Sequence, residues 1–234
     1  MLTGIPFFNT KTMSTIKNHL ADVLARLPQG VRLVAVSKFH PVEALQEAYE
    51  QGQRIFGESR VQELQAKHEA LPKDIEWHFI GHLQQNKVKY IAPYVSLVHA
   101  VDSLRLLQEI NRQALRCGRV IPCLLELHIA QEESKYGFTP EACEAMLAAG
   151  EWKALTGVEI TGLMCMASNT DDEAQIRREF HLAHKLFLRY KSLYFADKEY
   201  FKECSWGMSH DYPIAVEEGA TLVRVGSYIF GERI

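Results

Sequence analysis

In the segment VAVSKFHP a lysine, Lys38, stands one residue past an apolar run. A primary amine at the C-terminal end of a buried strand is partly desolvated, which favours its neutral form and lets it condense with an aldehyde to a Schiff base. The competing reading of the same residue is a solvated loop lysine. Two later segments, SWGMSHD and VRVGSYIFG, each combine glycine with a hydroxyl residue just past an apolar run. Backbone N–H groups turned outward there, with hydroxyl donors beside them, make a cup for a phosphate. Ser209, Gly226 and Ser227 are its candidate members. Arg224 lies two residues before Gly226 and so points to the same side of its strand. Its charge cannot be removed, and it must find an anion, an acceptor or a structural partner such as Glu58 or Glu126. Beside the nitrogen of a pyridine cofactor it would keep that nitrogen unprotonated and so weaken the ring as an electron sink.

Eight short runs can serve as the strands that position these groups: 32–37, 54–58, 76–81, 97–102, 122–130, 160–166, 203–208 and 221–226. The seventh is the weakest of them. Segments of helical period alternate with the runs, as in repeated βα units around a parallel sheet. One helix begins at Pro41, with Val42, Leu45, Ala48 and Tyr49 on one face. A long one spans about 171–194, where Ile176, Phe180, Ala183, Phe187, Tyr190 and Tyr194 step by three and four and Thr170 with Glu173 has capping-box spacing. A further helix at about 13–27 precedes the first strand. The expected architecture is one α/β domain over residues 1–234, a (β/α)8 TIM-type barrel with an extra N-terminal helix; an open doubly wound sheet is the runner-up. Barrels of this kind place their chemistry at the C-terminal ends of the strands, and often bind phosphate after the last two.

Composition narrows the function classes. The chain has 234 residues, with 26 Lys and Arg against 29 Asp and Glu and a formal charge of −3. That near-balance does not fit generic binding to a nucleic-acid backbone. No run approaches the roughly 20 apolar residues of a membrane span, and the short patch at Ile5–Phe8 lacks the features of a secretory signal. Five scattered cysteines without a C-x-x-C pair point to a reducing compartment, and the expected location is cytoplasmic. His78 and His82, and His181 and His184, are pairs without a convincing third metal ligand, so packing or surface roles are favoured. Asn86 and Lys87 are placed near the barrel mouth, and Lys135 is a second amine candidate in a charged neighbourhood. Ser37, Ser59 and the cysteines show no nucleophile elbow, and dinucleotide and P-loop fingerprints are absent.

Taken together, AVSKFHP, RIFGESRVQE, EWHFIGHLQQNK, ESKYGF, GLMCM and SWGMSHDYPIAVEEGATLVRVGSYIFGER resemble, in order and along most of the chain, the YggS/PROSC family of pyridoxal 5′-phosphate homeostasis proteins. The resemblance implies a barrel similar to the N-terminal domain of alanine racemase, carrying pyridoxal 5′-phosphate (PLP) as a Schiff base on Lys38. It implies phosphate contacts from Ser209, Gly226 and Ser227 and a pyridine-nitrogen contact from Arg224. Met166 and Met208 are implied as pocket lining, with His78 and Asn86 more peripheral. Two positions depart from the family pattern: GEN reads GES, which puts the shorter Ser59 where an asparagine contact is expected, and SMGMS reads SWGMS, which puts the bulky Trp206 near the seventh strand.

Racemisation needs proton donors on both faces of a carbanion, and a racemase of this fold adds a C-terminal β-domain and a dimer partner to complete its site. The sequence leaves no room for such a domain after the eighth strand, and the arginine weakens the electron sink. The expectation is therefore a monomeric, non-enzymatic protein that binds and buffers PLP and passes it to PLP-dependent apo-enzymes. A small PLP-dependent racemase or a Schiff-base aldolase is the alternative.

Overall fold

The computed structural model describes residues 10–131 and 136–231, with side chains from Thr15 onward. Lys135 and the Ile5–Phe8 patch lie outside the described residues. Eight parallel strands close into a barrel in chain order: β1 (Arg32–Val36), β2 (Ile55–Glu58), β3 (Glu76–Phe79), β4 (Leu97–Val101), β5 (Ile121–Leu127), β6 (Val158–Cys165), β7 (Glu203–Ser205) and β8 (Leu222–Val225). All eight expected runs are strands, the weak seventh included, and the open-sheet alternative is replaced by closure of β8 on β1. The extra N-terminal helix is α1 (Thr10–Arg26); each strand is then followed by a helix, from α2 (Val42–Glu50) and α3 (Val61–Ala70) through α4 (Val88–Ile91), α5 (Leu104–Arg116), α6 (Pro140–Ala149), α7 (Glu173–Tyr194) and α8 (Tyr212–Glu217) to α9 (Ser227–Phe230).

Strand alternation divides the apolar residues into two layers. The larger fills the space between strands and helices and holds Leu33, Ala35, Phe56, Trp77, Phe180, Tyr190 and Trp206. The smaller, made by Val34, Leu97, Ala100, Leu124, Met164 and Leu222, plugs the barrel interior. Packed barrels of this type have no pore, so a ligand is confined to the mouth. Local signals set the helix starts: Ser103 caps α5 through Leu106 N at 3.2 Å, and Thr139 caps α6 through Ala142 N at 3.1 Å. At α7 the capping-box reading is corrected. Asp172 is the cap and accepts from Ala174 N and Gln175 N, because its carboxylate sits one residue before the helix, while the Thr170 hydroxyl accepts from Asp172 N. No helix among the described residues is long and apolar enough to cross a membrane.

Candidate functional site

The C-terminal mouth of the barrel contains a cavity of about 260 Å³ lined by Val36, Lys38, His40, Ile80, Met166, Met208, Ser209, His210, Arg224, Gly226, Ser227 and Gly231. Its walls come mainly from the ends of β1 and β8 and the loop after β7. Ala35 pairs with Val225, so Val36 stands abreast of Gly226 and the amine-bearing loop leaves the barrel beside the glycine turn. A Cβ built on Gly226 would meet the Val36 carbonyl oxygen at 2.8 Å, so only glycine lets the two strand ends come this close. The N–H of Gly226 donates to Ser209 Oγ at 3.2 Å, which ties the loop after β7 to the start of α9. Three segments thus form one concave wall of hydroxyls and main chain, with Lys38 on the neighbouring strand end.

Arg224 forms the floor of this cavity and is 5% exposed. Its Nη1 donates to Ser205 O at 2.7 Å and Ser205 Oγ at 2.6 Å, and its Nη2 donates to Cys165 O at 2.9 Å. The structural partners considered from sequence, Glu58 and Glu126, are not the ones it bonds. Glu58 is taken by Lys67 at 2.7 Å. Glu126 Oε2 has no hydrogen-bond partner among the described residues, and burial, reinforced by Asp102, pushes that carboxyl up to about 7. Burial lowers the Arg224 pKa from its ordinary value, yet guanidinium stays charged. Three of its five N–H donors are used, which leaves two for an acceptor in the cavity.

The remaining sequence candidates separate. Lys38, Met166, Met208, Ser209, Arg224, Gly226 and Ser227 line one cavity; Ser59, His78 and Asn86 do not. Ser59 is covered by Gly81, where a Cβ would meet Ser59 Cα at 2.8 Å. Asn86 is exposed on the turn Gln85–Lys87. His78 lies deeper in the barrel, where its Nδ1 is 3.0 Å from His99 Nε2, and His99 Nδ1 is 2.9 Å from Ser205 Oγ. Arg224 can only donate to Ser205 Oγ, while the His99 ring nitrogens share one proton between the contacts to Ser205 and His78. Burial depresses both imidazoles, His78 to about 3, so both are neutral. Trp206 is fully buried, 6.3 Å from the His184 ring of α7, and faces the helix layer. The tryptophan departure therefore does not reach the cavity wall. His82 pairs with Asp102 at 3.1 Å, and His181 with Glu218 at 3.0 Å.

Sequence reasoning missed Val36, His40, Ile80, His210 and Gly231 on the wall. His210 was legible in principle, directly after Ser209, and its Nε2 lies 3.5 Å from Asp211 Oδ2. A second cavity of about 420 Å³ opens at the other end of the barrel beside Trp152, Val158, Ile160, Tyr194 and Tyr200. It is remote from the strand ends where barrel chemistry gathers.

A closed parallel barrel whose C-terminal mouth holds a cavity walled by Lys38, Ser209, Arg224, Gly226 and Ser227 places the protein among the (β/α)8 barrels. The chain belongs to the alanine racemase N-terminal domain family, whose model matches residues 12–234, and within it to the pyridoxal phosphate homeostasis proteins. It is 38% identical to the pyridoxal phosphate homeostasis protein of Aquifex aeolicus over 226 residues, covering 94% of this chain and 96% of that one. The protein of that name from Helicobacter pylori strain J99 is 38% identical over 205 residues, covering 86% and 88%. Among solved structures, PipY of Synechococcus elongatus with PLP bound superposes with a TM-score of 0.82 at 37% identity, covering 92% of this chain and all of that one. The alanine racemase of Clostridium difficile shares the fold at a TM-score of 0.77, 14% identity and 57% of its own length.

Proposed function

We propose that this protein binds PLP at the barrel mouth as a Schiff base on Lys38 and acts in the homeostasis of the cofactor without efficient catalysis. The observation that carries the reading is the single cavity that joins Lys38 to Ser209, Gly226, Ser227 and Arg224. The cofactor has its aldehyde and its phosphate arm on neighbouring ring carbons, which suits an amine and an anion cup on the adjacent strand ends of β1 and β8. The two spare donors of Arg224 suit the ring nitrogen, which accepts and so remains unprotonated. When bound, the cofactor would supply an electrophilic carbonyl, and Lys38 would hold it through Nζ with the loss of one water. Met166, Met208 and Ile80 exclude water from the ring. Ser59, His78 and Asn86 act, on this reading, only through the walls they support. Residues 1–234 work as one domain, a monomer in the cytoplasm, where free thiols such as the exposed Cys117 stay reduced. PLP-dependent apo-enzymes are the recipients of the cofactor.

Borohydride reduction of the PLP-loaded protein followed by peptide mass spectrometry tests the assignment. The expected adduct is on Lys38 and disappears in Lys38→Ala. An undiminished adduct and colour in that variant refute the assignment, and rapid racemisation of D- or L-alanine refutes the non-enzymatic part.

A further inference from the structure

We propose that Glu63 and Lys67 of α3 are positioning residues for Lys38, holding the backbone on both sides of it in the turn that presents its amine. The inference rests on the Schiff-base reading of Lys38. Lys67 is 4% exposed, and its ammonium has three donors. All three are used, each at 2.7 Å: on Ser37 O, Glu58 Oε1 and Glu63 Oε1. Ser37 precedes Lys38 directly and adds its own bond to Glu58 Oε1 at 2.6 Å. Glu63 Oε1 also accepts from the N–H of Phe39, the residue directly after Lys38, at 2.6 Å. One buried ammonium thereby fixes both neighbours of the reactive residue.

The turn needs such support. Phe39 has φ +68°, the left-handed region, where a bulky side chain is strained. Its ring lies under the Arg60 guanidinium at 4.5 Å, and His40 N closes the turn on Ser37 O at 3.1 Å. As a result Lys38 and His40 both face the cavity, while Phe39 joins Arg60, Glu63 and Lys67 along a separate groove behind it. An ordinary extended loop alternates its side chains about a straight course and would carry the lysine out of the mouth. The carboxylate of Glu63 is the acceptor that makes the left-handed conformer the stable one.

The test separates holding the cofactor from presenting the amine. Pyridoxine 5′-phosphate, which has an alcohol in place of the aldehyde, reports non-covalent binding; PLP reports imine formation through its absorbance and borohydride trapping at Lys38. In the full-length protein we expect Glu63→Ala to leave the affinity for pyridoxine 5′-phosphate within about twofold. Imine formation should fall about tenfold or more, since Glu63 Oε1 no longer accepts from the Phe39 N–H or from Lys67 Nζ. Glu63→Gln keeps an oxygen for the Phe39 N–H and should stay within about threefold of the unaltered protein. Adding Phe39→Gly to Glu63→Ala should restore most of the loss, because glycine takes positive φ without help. Unchanged imine formation in Glu63→Ala, or equal losses for both ligands, overturns the proposal. Failure of the unaltered protein to form an adduct at Lys38 overturns the underlying reading instead.

Discussion

Replacing Gly226 by alanine tests the cup at the atom on which it depends. Gly226 has φ −125°, outside the left-handed region, and its surroundings leave no space for a side chain. The added Cβ would sit 2.8 Å from Val36 O and 3.1 Å from Val36 Cβ, where ordinary contacts begin near 3.4 Å. The turn must move about 0.5 Å away from β1, an overpacking cost of about 1–3 kcal/mol. In the free protein the turn relaxes outward; binding a phosphate draws it back, so part of this cost falls on affinity. About 2 kcal/mol corresponds to a roughly 30-fold weaker Kd for PLP. Titration with PLP, with inorganic phosphate as competitor, measures it. Both ligands should weaken together while the absorbance maximum of the imine stays put, because Lys38 and Arg224 are untouched. Gly118→Ala, remote from the mouth and strained at φ +64° though no heavy atom lies within 4 Å of the new Cβ, is the control for a destabilising change that leaves affinity alone. Affinity within twofold of the unaltered protein would show that Gly226 is not a phosphate contact.

Other perturbations separate stability from binding. Arg224→Gln removes donors from Ser205 O, Ser205 Oγ and Cys165 O, and should cost about 3 kcal/mol in urea unfolding of the cofactor-free protein as well as shifting the bound spectrum; an unchanged spectrum and affinity refute the ring contact. His78 titrates near 3 when folded and near 6.5 when unfolded, so the unfolded chain binds the extra proton between those values and stability falls as pH falls through that window. The loss at pH 5 is about 2 kcal/mol for this residue, and His78→Gln should flatten the acid limb of the stability curve; an equally steep limb would place the titrating group elsewhere. Glu126 has the opposite sign, since its folded pKa near 7 is raised: stability is full below about pH 4.5 and is lost as pH rises through 7. Glu126→Gln should therefore stabilise the protein by about 1–3 kcal/mol at pH 8 and hardly at all at pH 4.5, and equal effects at both pH values would refute the burial argument.

The strand ends were the legible part of the site. Lys38, Ser209 and Gly226 follow apolar runs, alternation puts Arg224 on the same side as Gly226, and the barrel closes so that those positions meet. What the chain order could not reveal is who meets whom inside the barrel. His78 reads as an isolated histidine because its partner His99, and the Ser205 that His99 meets in turn, are 21 and 127 residues away and become neighbours only through closure. For Arg224 the sequence offers Glu58 or Glu126 as structural partners, whereas its bonds go to main-chain carbonyls at the ends of β6 and β7 and to Ser205 Oγ. Trp206 reads only as a bulky departure near the seventh strand, because that short run does not show where its alternation begins. With Ser205 turned inward to Arg224 and His99, alternation sends Cys204 and Trp206 outward to the helix layer. The left-handed Phe39 leaves no mark on the sequence, since phenylalanine is a poor choice for that conformation and only Glu63, 24 residues on, explains it.

The contacts of Arg224 also bear on why a cation is tolerated at the floor of the site. β7 is the shortest strand, and its register with β8 is the single pair Ser205↔Leu222, extended by Trp206 N to Leu222 O and Arg224 N to Gly207 O. This is the most thinly paired seam of the barrel, and it borders the cup. The guanidinium reaches from β8 across Ser205 of β7 to Cys165 of β6, so one side chain ties three strands at the level where the backbone ladder thins. A neutral residue of similar size could fill the volume but could not donate to two carbonyls and a hydroxyl at once. The desolvation of the charge is thus offset by barrel closure whether or not a ligand is present. On the proposed reading, a guanidinium fixed in this way could neither take a proton from a ring nitrogen nor swing away from it, and the contacts that close the barrel would also set the electronic character of the site.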